Sequence, residues 1–195
     1  MPSINHICQP NKSLKLHRSR LFSIFFLFIT LTPLFAQSEA EIEYELKAYF
    51  IYTFTKYIDW GDLEKESTFV IGFIGESPII PPLEKIALRN LVKNKKLIIK
   101  RWIRPEDIGK CDILFIAGSK KRDLARIIKI VEGNSTLTIG DTESFSKRGV
   151  VINLIGRGDR IGFEINIGAA ELNRLKVSSQ LQKLAVKVYN RPRRG

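Results

Sequence analysis

The sequence predicts a single α/β domain: a layered sandwich on a mixed sheet, with parallel βαβ units followed by an antiparallel hairpin and a C-terminal helix. Three observations carry this. Short, wholly apolar runs such as Phe69–Ile74 (FVIGFI) and Ile113–Ala117 (ILFIA) read as strands covered on both faces. Between them lie segments with apolar residues at helical spacing. Near the end two alternating runs flank a glycine turn, which is a hairpin signal. Strands alternating with helices imply a layered α/β fold. No linker, repeat or heptad run divides residues 41–190, so they form one domain, and 191–195 is a basic, frayed tail.

The first helix is expected over Glu43–Ile58, where Leu46, Tyr49, Phe50, Phe54, Tyr57 and Ile58 form an aromatic-rich stripe. Ser38 with Glu41 offers a capping box before it, and Gly61-Asp62 ends it. After the Phe69–Ile74 strand, Gly75-Glu76-Ser77-Pro78 is a loop, and Ile79–Asn90 a helix. Leu97–Trp102 and Ile113–Ala117 are the next strands. Leu124, Ile127, Ile128 and Val131 then mark a helix within 119–132, stopped by Gly133-Asn134. Thr136–Ile139 is a fourth strand. Val150–Ile155 and Arg160–Ile167 form the hairpin around Gly156-Arg157-Gly158-Asp159. The last helix starts at Ser179, with Gln182 completing its capping box, and buries Leu181, Leu184, Ala185 and Val188.

The N-terminus reads differently. Lys12, Lys15, Arg18 and Arg20 precede an uncharged apolar stretch at 21–36, which holds Pro33 and ends at Ala36. A basic region, a short apolar core and a small residue are the marks of a cleaved secretory signal peptide, residues 1–36. At 16 residues the core is short of the roughly 20 needed to span a bilayer. The chain is therefore expected to be exported, with loss of this leader.

Of the 195 residues, 32 are Lys or Arg and 20 are Asp or Glu, a net charge of +12. Removing 1–36 leaves 159 residues with a net charge of +8, no His and one Cys, Cys111. Ser-His-Asp and Cys-His sites need an imidazole, and zinc sites need His or Cys ligands. Neither an enzyme of these kinds, nor a metal, nor a cofactor is expected. Asp141, Glu143, Asp159 and Glu164 lack the dense loop spacing of a calcium site. Cys111, just before a buried strand, reads as a small core residue. Two basic clusters, at 93–104 and 120–129, suit a solvated face or anionic headgroups. Nucleic acid is not expected for an exported chain whose aromatic residues fall on its apolar stripes.

Gly75, Glu76, Ser77 and Ser119 follow strands and are candidates for a ligand loop, because open α/β sheets bind ligands at strand carboxyl ends. The other reading is a tight connection.

Five blocks taken in order, Tyr44–Trp60 (YELKAYFIYTFTKYIDW), Gly75–Pro78, Cys111–Ser119 (CDILFIAGS), Leu137–Leu154 (LTIGDTESFSKRGVVINL) and Arg160–Ala185, resemble the YfiR-like family. The resemblance implies a periplasmic, non-catalytic regulator. Its best-known member restrains a membrane-bound diguanylate cyclase by binding the enzyme's periplasmic sensor part, lowering cyclic di-GMP, and an outer-membrane lipoprotein relieves this. It also implies a homodimer. This chain lacks Cys pairs, so disulfide control is not carried over. As motif positions, Lys56, Asp59 and Trp60 are either partner anchors or a helix end packed on the sheet. Asp141 and Phe145 either shape a recognition loop or form its turn. Glu164, Asn166, Ser178 and Ser179 read as structural. The alternative function is a receptor for a small molecule or peptidoglycan fragment.

Overall fold

The computed structural model describes residues 32–61, 67–157 and 160–190. Two compact units are distinguished, residues 1–41 and 42–195. Of the first, residues 32–41 are described, and they are helical. The apolar stretch 21–31, Asp62, the hairpin tip Gly158-Asp159 and the tail 191–195 lie outside the described residues. Among the described residues, no helix is long and apolar enough to cross a membrane. Every described strand belongs to the second unit.

In chain order the elements are α1 (Thr32–Phe54), β1 (Ile58–Asp59), β2 (Thr68–Ile74), α2 (Ile80–Ala87), β3 (Leu91–Val92), β4 (Lys95–Trp102), β5 (Ile113–Ile116), α3 (Leu124–Val131) and β6 (Leu137–Gly140). After them come β7 (Ile152–Arg157), β8 (Arg160–Asn166), α4 (Ile167–Leu172), β9 (Lys176–Val177), α5 (Ser179–Leu184) and β10 (Lys187–Tyr189). The eight-stranded sheet runs β10-β8-β7-β6-β5-β2-β4-β3. Its five central strands, β7, β6, β5, β2 and β4, are mutually parallel. β8 turns back against β7, from Ile152↔Ile165 to Arg157↔Arg160, and β10 runs parallel to β8. The short β3 is antiparallel to β4. The predicted mixed α/β sheet is therefore present.

The core has two layers because the buried strands alternate their faces. Phe69, Ile71 and Phe73 of β2 join Phe115, Ile139 and Phe163 under α1, α2, α4 and α5. Val70 and Ile74 face the other way, with Leu114 and Ile116, against Leu124, Ile127 and Val131 of α3. Phe54 meets Phe163 edge-on at 5.2 Å, which seats α1 over the hairpin.

Several boundaries differ from expectation. Ser38 and Glu41 lie inside α1, so they form no capping box, and Pro33 occupies the helix's first turn, where proline is tolerated. The helix also ends earlier, at Phe54. There the Thr55, Lys56 and Tyr57 amides reach back only three residues, and the Thr55 hydroxyl donates to the Tyr52 carbonyl at 2.6 Å. Ile58 is thereby released into β1, which pairs with β9. The last helix is capped by Ser178, not Ser179. Ser178 is the extended residue, and its Oγ accepts from the Leu181 amide at 3.2 Å. Gln182 instead donates to the Val177 carbonyl. The helix expected within 119–132 is α3 alone, preceded by a tight turn over Gly118–Lys120. Ile167 leaves the strand to begin α4, which Asn166 caps by accepting from the Ala169 amide.

Candidate functional site

The order of the parallel strands reverses between β2 and β5: from β2 the chain moves out to β4, and from β5 it moves the other way to β6 and β7. In doubly wound sheets, ligands bind outside the strand carboxyl ends at such a reversal. Gly75 follows β2 there and Ser119 follows β5, so the fold brings these two candidates together. They pack directly on each other. Gly75 has φ +87° and donates its amide to the Trp102 carbonyl at 3.1 Å. A Cβ on Gly75 would lie 2.8 Å from Ser119 Oγ and 3.1 Å from Ala117 Cβ. A Cβ on Gly118 would meet Thr142 Oγ1 at 2.9 Å. Lys120 Nζ crosses the same end to the Ile103 carbonyl. Ser77 Oγ accepts from the Ile79 amide in the turn before α2, while Glu76 is exposed.

The partner-binding candidates separate by burial. Trp60 is 4% exposed. Its Nε1 donates to the Asp112 carbonyl at 3.2 Å, its ring stands edge-on to Phe69 at 5.3 Å, and Lys93 Nζ lies 4.9 Å from the ring centre. It follows β1 and does not end the helix. Phe145 is fully buried against Gly140, where a Cβ would come 2.5 Å from its Cδ2. Both rings belong to the core, so neither offers its face to a partner. Lys56 and Asp59 are exposed. Lys56 Nζ sits over the Tyr52 ring, and Asp59 accepts from the Gly61 amide at 2.9 Å.

Asp141 follows β6 and receives Lys47 Nζ at 3.1 Å; Glu43 holds the same ammonium at 2.8 Å. Glu164 takes the Tyr189 hydroxyl instead, so the two acids are engaged by different elements. Among the described residues no group of three or more His, Cys, Asp or Glu is gathered as metal ligands would be. Sequence reasoning missed Lys47. Its signal was a charge interrupting the core-facing stripe of Tyr44, Ala48 and Ile51. It also missed Asn153, fully buried beside Gly140, whose amide has no hydrogen-bond partner among the described residues.

Cys111 is buried, as expected. Burial chiefly, with the nearby Asp112 charge, pushes its thiol up to about 12, against relief from Thr136 and Lys100. The thiolate is the reactive form, so native protein at about pH 8 is expected to resist maleimide while denatured protein reacts at once. The raised pKa also has a stability sign. Its contribution is complete below the unfolded thiol value near 9 and is lost as pH climbs toward 12. Cys111→Ala is expected to flatten that alkaline fall in a pH series of urea midpoints. Rapid native labelling would contradict both statements.

Fold and site together define a doubly wound α/β protein whose strand-end crevice is closed by its own loops. The sequence model of the YfiR/HmsC-like family matches residues 44–186, nearly the whole sheet-forming unit, and the chain belongs to that family. No curated protein matches it. Among solved structures it is similar to a conserved domain protein from Vibrio cholerae O1 biovar El Tor. The TM-score is 0.51 and the identity 13%, over 74% of this chain and 60% of that one. It is also similar to an ABC domain from Streptococcus pneumoniae solved with L-Trp, at TM-score 0.48 and 9% identity, covering 62% of this chain and 55% of that one. The first likeness shows the fold alone and the second carries no argument. The chain spans about 60% of the length of the first structure.

Proposed function

We propose that this chain is a non-catalytic periplasmic regulator that restrains a membrane-bound signalling enzyme, a diguanylate cyclase, by binding its periplasmic part. The observation that carries the reading is the family match across residues 44–186, which supports a role in cyclic di-GMP control. The side chains agree with binding: Cys111 is buried, Asp141 is neutralised by Lys47, and Glu164 is engaged by Tyr189. Exposed Lys56, just before β1, and Asp59, its last residue, are the contact residues, with buried Trp60 supporting them. Restraint by a homodimer, relieved when an outer-membrane lipoprotein sequesters it, belongs to the same proposal. A regulator of this kind acts by binding one state of its partner better than another.

The test titrates the exported protein against membranes containing the cyclase and follows cyclic di-GMP. Inhibition that saturates at a fixed molar ratio supports binding. Output that keeps changing with time at a trace of this protein, and stops when Asp141 and Glu164 are neutralised, makes it an enzyme. Export itself is checked by N-terminal sequencing. Protein recovered from the periplasm is expected to begin near Gln37 or Glu41, and intact Met1 in a membrane fraction contradicts cleavage.

A further inference from the structure

Strand β4 is eight residues long, yet its outer side is paired only at the start. β3 meets it at Lys95 and Lys96 and extends no further than Leu91. On the inner side β2 accompanies it from Lys96 to Trp102. Two hydrogen bonds fix how the backbone groups point. The Lys96 amide donates to the Ser67 carbonyl, and the Trp102 carbonyl accepts from Gly75. Residues 96, 98, 100 and 102 therefore turn their amides and carbonyls toward β2. Alternate residues of a strand turn theirs the other way. Beyond the residues bridged to β3, Ile99 and Arg101 thus present their amides and carbonyls outward, where no described strand follows.

Such an edge is a template for another chain, and proteins usually blunt it with charge or a cover. Here an open groove of about 670 Å³ adjoins it, lined by Ala87, Leu88, Leu91, Leu97 and Ile99. Leu88 is 87% exposed and Leu91 59%. The charge around the edge has one sign. Arg89, Lys96 and Lys100 are exposed and have no ion pair among the described residues, while the groove's acid, Glu84, is taken by Arg101. A second copy paired edge to edge would set Lys96, Lys100 and Arg101 against like charges, which is unfavourable. An acidic strand meets the same edge with opposite charge.

We propose that the outer edge of β4 is a docking site for an extended acidic segment of a partner protein. The segment adds to the sheet in line with β3 and places an apolar side chain in the groove between α2 and β3. Main-chain bonds at such an edge supply affinity, and the neighbouring pockets and charges supply selectivity. The inference rests on the reading of the chain as a binding protein and states the chemistry of the segment it binds.

The probe is a synthetic decapeptide alternating Glu with Val and Leu, compared with a Lys peptide of the same pattern. Both are added to the exported protein, and amide hydrogen exchange is read by NMR. The Glu peptide is expected to saturate and to slow exchange at Ile99 and Arg101 at least tenfold. The Ile98 and Lys100 amides, which face β2, stay unchanged. Charge reversal at two exposed positions, Lys96→Glu with Lys100→Glu, is expected to weaken the Glu peptide at least tenfold without changing the melting temperature. Equal binding of both peptides, binding of neither, or slowing confined to other residues overturns the proposal. So does capture of phosphatidylglycerol vesicles in place of the peptide. Run in the cyclase titration, the same double variant separates the two readings. Full restraint by the variant removes this inference and leaves the regulatory one standing. A wild-type protein that never restrains the enzyme removes the regulatory reading, whatever the peptides do.

Discussion

Replacing Lys47 by alanine is expected to destabilise the protein by about 3 kcal/mol, since removing one member of a buried ion pair strands its partner. In a domain of this size that lowers the melting temperature by roughly 6–12 °C. The Lys47 side chain is only 10% exposed, on the face of α1 that meets the sheet, and its ammonium is shared by Glu43 and Asp141. Tyr44 lies beneath it, with the ring centre 5.6 Å away. Alanine leaves the Asp141 carboxylate partly buried without its counter-charge. Lys47→Met in the Asp141→Asn background restores the methylenes and removes that charge, so it is expected to recover most of the loss. Burial acts on Lys47 most strongly and pulls its pKa down, but hydrogen bonding and attraction from Glu43 and Asp141 outweigh it, and the net value is raised. A raised lysine stabilises fully below its unfolded value, about 10.4, and loses that contribution as pH rises through the folded one. The difference between wild type and Lys47→Met in urea should therefore be flat through neutrality and shrink above roughly pH 10.5. A loss below about 1 kcal/mol, the range of exposed pairs, or a difference unchanged to high pH, would show that the ion pair contributes little.

The large elements were legible because each carries a periodic signal. The stripe of Leu124, Ile127 and Val131 made α3 readable, and the unbroken apolar runs of β2 and β5 announced strands covered on both faces. The two-residue strands β1, β3 and β9 carry no period at all, since only their partners define them. The cap of α4 was in plain view as Asn166, but Ile165 and Ile167 on either side continued the strand pattern and concealed it. The candidate site divides in the same way. That Gly75 and Ser119 follow strands is local information. That they touch depends on β2 lying next to β5, which is set by strand order. Trp60 reads locally as a partner anchor or a packed helix end, yet its indole N–H is used inward on the Asp112 carbonyl, 52 residues away. Helical spacing marks Lys47 as a charge on a core face but cannot supply the reason for it, which is Asp141, 94 residues on.

Gly72 shows how a glycine in a strand centre can be required by a neighbour rather than by its own backbone. It pairs with Lys100 on β4 and Leu114 on β5, so it cannot shift sideways. A Cβ there would overlap Cζ3 of Trp102 and lie 2.7 Å from Cη2. The indole also touches a second glycine, since a Cβ on Gly109 would lie 3.6 Å from Cζ2. Gly72→Ala is therefore expected to destabilise the fold by about 3 kcal/mol, the upper range of overpacking in a close-packed core. That outweighs the roughly 0.5–1 kcal/mol that alanine returns by restricting the unfolded chain. The ordinary expectation has the opposite sign, because glycine weakens strands, so the direction alone is informative. Trp102→Leu opens the space at its own cost in buried surface. In that background Gly72→Ala should be close to neutral, giving a coupling of about 2 kcal/mol between contacting residues. Urea midpoints for the four proteins complete the cycle. Additive costs would mean that the ring does not rest on Gly72, and the packing of β4 on β2 would have to be redrawn.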